Sequence, residues 1–141
     1  MRRTAILFLA VCLLLTGCLS LDDRAEKSNI FRFVQENQEL LAQCMETGSF
    51  DKVIAFKLVQ KVNMYEDHVD FYCGGAGFGP ATAYCGFFYT ETGNMGAIWC
   101  APGAEYLTPS GAGYLWEEKD GDNRYYVEQI CEHYYYYEAS F

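Results

Sequence analysis

Histidine, proline and clustered basic residues are scarce in this chain. It contains two histidines, three prolines and ten lysines and arginines against 19 aspartates and glutamates, so its net charge is −9. Contact with a phosphate backbone needs grouped lysines and arginines, and the composition therefore argues against a nucleic-acid partner. The negative charge also disfavours electrostatic attachment to an anionic membrane surface.

Motifs that mark a catalytic or metal centre are also missing. There is no Gly-x-Ser-x-Gly nucleophile motif and no Cys-x2-Cys pair. Cys131-x-His133 supplies only two ligands, and His68 falls in or beside a predicted turn. We therefore expect no metal, no cofactor and no cysteine nucleophile, while other enzyme chemistry stays open.

The first 18 residues have the layout of an exported lipoprotein. Arg2-Arg3 precedes an apolar run at residues 6–15. This run is too short to span a bilayer core, which requires a helix of about 20 residues. The sequence Leu-Thr-Gly-Cys at residues 15–18 then resembles the lipobox of bacterial lipoproteins. That resemblance implies cleavage after Gly17 and a diacylglycerol thioether on Cys18. An ordinary signal peptide with a chance cysteine, or an uncleaved anchor, is the alternative.

These features predict the organisation of the chain. Residues 1–17 form a signal peptide, residues 18–27 a polar lipidated tether, and residues 28–141 a single domain. Lipid on Cys18 would anchor the protein to the cell membrane on its extracytoplasmic side.

Hydrophobic periodicity predicts an α+β domain with one N-terminal helix. Apolar residues recur at helical spacing across residues 29–46, with Ser28 as N-cap and Gly48 as the stop. Residues 50–56 are ambiguous. We expect this helix to pack on an antiparallel meander of about six short strands, because the later connections are too short for parallel crossovers.

The strands are predicted from alternation and turn residues. A hairpin joins residues 57–65 to 69–73 around Glu66-Asp67, and Val69, Phe71 and Cys73 share one face. A glycine-rich loop at residues 74–83 follows. Further strands are predicted at residues 84–90, 96–100, 114–118, 125–130 and 132–141, with a turn at residues 119–123 between two of them.

Five cysteines remain in the predicted domain: Cys44, Cys73, Cys85, Cys100 and Cys131. Exported compartments permit disulfides, and Cys73–Cys85 is the preferred pair because both residues flank a short loop. The odd number leaves at least one thiol unbridged within the chain. The alternative is that all five are small buried apolar residues.

Aromatic and acidic residues predict a contact surface. We assign ligand binding to Tyr114, Trp116, Asp122, Asn123, Tyr134 and Tyr136. On a strand, the four tyrosines at residues 134–137 would send two rings to each face of the sheet. Aromatic rings next to acidic side chains suit the binding of an envelope glycan or a protein partner. The alternative is that these aromatic rings belong to the hydrophobic core and the surface of the sheet. The acidic turn at residues 120–123 has the oxygen donors for Ca²⁺, but Asp-Gly and Asp-Asn are also common turn formers.

Beyond the lipobox, four short motifs resemble small bacterial lipoproteins without a known activity. They are Cys-Gly-Gly-x-Gly at 73–77, Gly-Phe-Phe-Tyr at 86–89, Gly-Asp-Asn at 121–123 and the tyrosines at 134–137. That resemblance implies no function. The predicted anchor, short tether and compact sheet, together with the lack of a catalytic set, lead us to predict a non-catalytic, lipid-anchored binding or interaction module of the envelope. Two alternatives are an accessory of a larger complex and an enzyme acting on an envelope polymer through paired carboxylates. The enzyme candidates are Asp70, Glu105, Glu117 and Glu128.

Overall fold

The computed structural model describes residues 23–78 and 81–141 as an α+β fold. Three helices come first: α1 (Lys27–Glu36), α2 (Gln38–Thr47) and α3 (Asp51–Ile54). Seven strands follow: β1 (Lys61–Met64), β2 (Val69–Phe78), β3 (Ala81–Tyr89), β4 (Thr108–Ser110), β5 (Gly113–Glu117), β6 (Arg124–Cys131) and β7 (Tyr134–Ser140). A 3₁₀ turn at Ala104–Tyr106 precedes β4. The predicted α+β class is confirmed, whereas the single helix and the count of six strands are wrong.

The predicted helix at residues 29–46 is broken at Asn37. Its backbone leaves the helical region at φ −120° and ψ 26°, and its side-chain amide donates to the Phe33 carbonyl at 2.8 Å. Asparagine competes in this way with helical hydrogen bonds, so the chain restarts as α2. Gly48 ends α2 with a left-handed φ of 69°, as predicted. Ser28 lies inside α1 and not at its cap, because α1 begins at Lys27.

The sheet is fully antiparallel, but it is not a simple meander. Its strand order is β1-β2-β3-β7-β6-β5-β4, so the last strand lies between β3 and β6. A long connection from β3 to β4 makes this order possible by crossing the sheet before the chain returns. The C-terminal strand thereby becomes a central strand that is covered on both faces.

Both faces of the sheet are buried, each by a different layer. On the helix side, Phe71 and Phe87 stack at 4.4 Å beneath the buried side chains of α1 and α2. On the opposite side, the β3–β4 connection covers the sheet with Ile98 and Cys100. The four consecutive tyrosines follow the predicted alternation, since Tyr134 and Tyr136 belong to the helix-side core and Tyr135 and Tyr137 to the other.

Two predicted local structures are wrong. Residues 74–78 and 81–83 are strand, because β2 continues to Phe78 through a register shift between Tyr72 and Gly75 that glycine accommodates, and β3 begins at Ala81. Residues 96–100 form turns. Ile98 and Cys100 of this loop point into the core, whereas Trp99 between them is exposed, so the segment resembles a strand only in composition. The hairpins β1–β2 and β5–β6 are confirmed.

The chain that leads into α1 is fastened to the sheet. The Asp23 amide donates to the Gly75 carbonyl and the Ala25 amide to the Cys73 carbonyl, both at 3.0 Å. Residues 23–25 of the predicted tether are therefore held against β2. Residues 1–17 and Cys18 lie outside the described residues. Within the described part of the chain, no helix has the length and apolarity to span a bilayer.

Candidate functional site

A groove of about 710 Å³ lies between α2 and the turn that joins β6 to β7. It lies at the end of the sheet opposite the point where Asp23 joins β2. We call it the acidic groove, and its lining residues come from three segments of the chain: Gln38, Glu39, Ala42, Met45 and Glu46; Tyr89 and Glu91; and Cys131, Glu132, His133 and Tyr134.

Helix α2 forms one wall because its residues divide between two faces. Leu41 and Cys44 are buried in the helix-side core. Glu39, Ala42 and Glu46 follow each other at helical spacing on the neighbouring stripe, which lines the groove. The break at Asn37 sets where this wall begins.

The β6–β7 turn forms the other wall through an uncommon backbone conformation. Cys131 pairs with Tyr134, which leaves Glu132 and His133 as the turn residues. His133 has a left-handed φ of 67°, which costs a non-glycine residue about 1–2 kcal/mol. The Thr90 amide fixes this conformation by donating to the His133 carbonyl at 3.0 Å. The turn thus holds the His133 ring 5.8 Å from the Tyr89 ring.

Aromatic rings form the floor of the groove. The centroids of Tyr89 and Tyr134 lie 5.2 Å apart, and the Tyr89 hydroxyl donates to Glu91 at 3.5 Å. Burial raises the pKa of both tyrosines, and the nearby Glu91 carboxylate adds to the shift at Tyr89. Both hydroxyls therefore stay protonated at neutral pH, and they offer neutral hydrogen-bond donors beside an apolar ring face.

The rim of the groove is negatively charged. Four glutamates line it, at residues 39, 46, 91 and 132, and none of the described lining residues is lysine or arginine. His133 Nε2 lies 3.7 Å from the Glu132 carboxylate. The groove therefore combines an apolar floor with an acidic rim, a combination that suits cationic groups.

The groove does not favour thiol or metal chemistry. Burial raises the pKa of the Cys131 thiol, and the Glu132 charge raises it further, so the nucleophilic thiolate is disfavoured. Across residues 23–78 and 81–141, no three histidine, cysteine or acidic side chains gather closely enough to hold a metal ion.

The predicted contact surface is split between layers of the fold. Tyr134 and Tyr136 are buried at 7% and 3% exposure on the helix side; Tyr134 lines the acidic groove and Tyr136 a separate cavity beside Arg24 and Glu138. Tyr114 is exposed on β5 and Trp116 packs partly into the opposite core. The six residues do not form one platform, because β-strand alternation separates them.

The acidic turn and the enzyme candidates also lie apart from the groove. Asp122 is exposed and Asn123 half-buried in the β5–β6 turn, which closes when the Glu118 amide donates to the Asn123 carbonyl at 2.9 Å. The candidate carboxylates take separate partners: Asp70 accepts from Tyr137, Glu128 pairs with Lys27, Glu117 lies beside Arg124, and Glu105 belongs to the 3₁₀ turn. No hydrogen bond joins any two of these four.

The cysteines predicted to pair are neighbours in the helix-side core. Cys73 is a buried thiol whose Sγ lies 3.5 Å from the Phe71 carbonyl. Cys85 is buried too, and its Sγ lies 3.6 Å from the Ala25 carbonyl. Burial raises the pKa of Cys73 well above its ordinary value, with the Cys85 sulfur adding to the shift. The Cys73–Cys85 bridge stays a prediction.

Sequence reasoning did not find the groove glutamates of α2 and of the turn after β3. Glu39 and Glu46 look like ordinary solvated helix residues, and Glu91 like part of a turn. In the sequence, Glu39 and Glu46 stand out only as part of a stripe of acidic and small residues beside the apolar stripe of the helix. That pattern does not indicate which part of the protein the stripe faces.

The fold and groove define a small α+β domain with a sheet covered on both faces and an acidic, ring-floored cleft at one end. No protein-family model, no curated protein and no solved structure matches the chain significantly.

Proposed function

We propose that the chain is a lipid-anchored envelope protein whose domain is a non-catalytic binding module, and that the acidic groove takes a basic segment of a protein partner. The observation that carries the groove assignment is the coincidence of about 710 Å³ of open space with four glutamates and no lysine or arginine among the described lining.

Charge and ring chemistry favour lysine and arginine side chains as the bound groups. Each can pair with a rim carboxylate while its methylene stem lies on apolar surface. The half-buried ring of Tyr89 adds a face for a cation, and His133 stands at its side.

The spacing of the carboxylates favours an extended segment over a single ion. Glu39 and Glu46 lie seven residues apart on α2, a rise of about 10 Å. Glu132 stands on the opposite wall. Carboxylates spread over such distances match successive basic side chains of a peptide and cannot converge on one metal ion.

The sequence at residues 15–18 supports the lipid anchor. The anchor is also compatible with the way in which the N-terminal segment is held on the domain. Asp23 is held on β2 and lies five residues after Cys18. Intact-mass analysis of the natural product should show loss of residues 1–17 and an acyl-bearing Cys18. A Cys18→Ala chain should lack the acyl mass. A product that retains Met1 or carries no lipid would disprove the anchor.

The groove is tested with the full-length lipoprotein in detergent and two fluorescent peptides. One peptide alternates lysine with glycine, and its control replaces each lysine with glutamine. We expect binding of the basic peptide only, with affinity falling as salt rises, because exposed charges are screened. Glu39→Gln/Glu46→Gln should weaken binding about tenfold at low salt, since exposed ion pairs contribute up to ~1 kcal/mol each.

A matched double variant controls for total charge. Glu105→Gln and Glu118→Gln remove two exposed carboxylates outside the groove. This variant should bind the basic peptide as the parent chain does. Equal loss in both double variants would mean that net charge and not the groove attracts the peptide, and the groove assignment would then be wrong.

A further inference from the structure

The end of the sheet opposite the acidic groove is where the lipid-bearing segment would leave the domain. Asp23 is fixed there twice: its amide donates to the Gly75 carbonyl at 3.0 Å, and its carboxylate accepts from the Gly75 amide at 2.7 Å. Gln60 Nε2 also donates to Asp23 at 3.1 Å. Asp23 lies five positions after Cys18, and five fully extended steps along the chain reach only about 17 Å.

Aromatic rings are exposed at this same end, which we call the anchor end. Tyr84, Trp99 and Phe141 form a cluster with centroid distances of 5.6, 6.3 and 6.4 Å. Trp99 remains 58% exposed although it is the largest of the three. Phe78, at the end of β2, is 86% exposed. Large aromatic residues this exposed are unusual on a surface that faces only water.

The backbone holds this cluster in place. Thr82 and Phe141 exchange two backbone hydrogen bonds of 2.9 and 2.8 Å. Gly75 pairs with Tyr84, so the rings stand beside the strand position that binds Asp23. Rings and anchor segment therefore share one end of the sheet, because β2, β3 and β7 all reach it.

Basic residues flank the rings in an otherwise acidic chain. Arg24, Lys27 and Arg124 line a cavity of about 330 Å³ at this end, with Glu138 as the one acidic residue of its lining. Arg124 pairs with Ser140 across β6 and β7, which places it at the same end. Arg24 pairs with Glu138 at 3.4 Å, Lys27 with Glu128, and Arg124 with Glu117 at 3.7 Å, so basic and acidic groups occur together at this end, whereas the acidic groove at the far end has no lysine or arginine among its described lining.

We propose that the anchor end rests in the headgroup region of the phospholipid bilayer, with Trp99 and Phe78 inserted among the headgroups and the acidic groove directed away from the membrane. Trp and Tyr favour this interfacial layer, where a ring can be apolar on one side and hydrated on the other. The basic side chains then lie near lipid phosphates. This inference rests on the proposed lipid attachment at Cys18, which brings these rings within reach of the bilayer.

Trp99 provides the test once Trp116 is replaced, because Trp116 is half-buried on β5 and lies in register with Tyr125, Ala139 and Tyr84 at the same end of the sheet. Full-length lipoprotein is reconstituted into phosphatidylcholine/phosphatidylglycerol vesicles, with or without brominated acyl chains that quench nearby indoles. In Trp116→Phe, which retains Trp99, we expect a blue shift and loss of emission in brominated vesicles. Met64→Trp in a Trp99→Phe/Trp116→Phe background places the indole at the opposite end, where β1 pairs with the start of β2, and its emission should be the same in both vesicle types.

A second pair of variants tests the rings without altering the core. Phe78→Ser in the Trp116→Phe background should reduce the quenching of Trp99. Met64→Ser is the matched control, because Met64 is 59% exposed and lies at the opposite end, where β1 pairs with the start of β2. It should leave the quenching unchanged.

Flotation of the same vesicles separates this inference from the lipid anchor. Protein that floats with the vesicles but shows no quenching of Trp99 keeps the anchor and overturns the docked orientation. Protein that does not float overturns both. Quenching of the indole introduced by Met64→Trp equal to that of Trp99 also overturns the orientation, because it would place both ends of the domain at the membrane.

Discussion

The Tyr137 hydroxyl donates a 3.0 Å hydrogen bond to the Asp70 carboxylate inside the core that the β3–β4 connection covers. Asp70 is 1% exposed and also accepts from the Asn63 amide at 3.0 Å. Burial is the largest influence on this carboxyl and raises its pKa, although the two hydrogen bonds and the charges of His68 and Lys61 act in the opposite direction. Asp70 is thus a buried carboxylic acid at a position of β2 where an apolar residue would be expected.

Asp70→Asn should change how stability depends on pH. A carboxyl whose pKa is higher in the folded state binds its proton more tightly when folded. Its contribution to stability is therefore greatest below the unfolded value of about 3.9 and is lost as pH rises through the folded value. Removing the charge should favour the variant increasingly from pH 4 to pH 7. Urea unfolding of both proteins across this range measures the difference.

The exposed loop residue Asp122 provides the control for that experiment. Asp122→Asn changes the same charge without a buried partner. Its unfolding free energy should follow that of the parent chain at every pH. Parallel pH curves for Asp70→Asn and the parent would contradict an Asp70 carboxyl with a raised pKa.

Gly86→Ala should destabilise the sheet by steric conflict. A Cβ at residue 86 would meet the Phe71 carbonyl oxygen and the Tyr137 ring, and the Phe71 oxygen belongs to the paired strand and cannot move aside. Overpacking of this kind costs about 1–3 kcal/mol, and the backbone contact favours the upper end. Guanidinium unfolding monitored by circular dichroism provides the measurement.

Gly111→Ala separates steric conflict from backbone strain. Gly111 has φ of 60° but nothing within 4 Å of the added Cβ. Only the left-handed conformation is penalised there, at about 1–2 kcal/mol. A smaller loss in Gly86→Ala than in Gly111→Ala would show that β2 and β3 separate to admit the methyl group.

Lys27→Met should weaken the link between α1 and β6 in a pH-dependent way. Lys27 pairs with Glu128 and its ammonium lies 4.9 Å from the centre of the Tyr126 ring. Burial opposes ionisation of Glu128, but hydrogen bonds from Lys27 and Tyr126 outweigh it, so the pKa of Glu128 is lowered. The contribution is present above the unfolded value of about 4.3 and is lost as pH falls through the folded value.

We expect Lys27→Met to lower the unfolding free energy by about 1 kcal/mol at pH 7, because the pair is partly solvent-exposed. The difference from the parent should vanish at pH 2 in thermal unfolding experiments. Arg124→Met is the comparison, since Arg124 and Glu117 are 3.7 Å apart and both more than half exposed. A loss at Arg124 as large as that at Lys27 would mean that burial of the Lys27 pair adds nothing.

The cysteines should differ in their reactivity with a thiol reagent. Cys131 is half-buried, whereas Cys73 and Cys100 are buried, and burial raises the pKa of Cys100 to about 12. Alkylation of the native protein should therefore modify Cys131 first, and Cys73 and Cys100 only after unfolding. Mass spectrometry of digested fragments identifies the modified sites. If Cys73 resists alkylation in denaturant until a reductant is added, the predicted bridge to Cys85 is formed.

Sequence reasoning succeeded where the determining interactions are local. Period-two alternation put Val69, Phe71 and Cys73 on one face, and the structure places all three in the helix-side core. The turn at residues 119–123 predicted the β5–β6 hairpin for the same reason, since the pairing partners are close in sequence. It failed at Asn37, where one side-chain hydrogen bond outweighs a continuous apolar stripe.

The sequence by itself determined the α+β composition, the two hairpins and the division of the four tyrosines between faces, because each follows from the geometry of neighbouring residues. Only the tertiary structure decided that β7 lies between β3 and β6, that Glu39 and Glu132 line one groove, and that Trp99 and Asp23 share one end of the sheet. These relationships join segments far apart in the chain. They depend on which surfaces bury each other, and no local pattern records that choice.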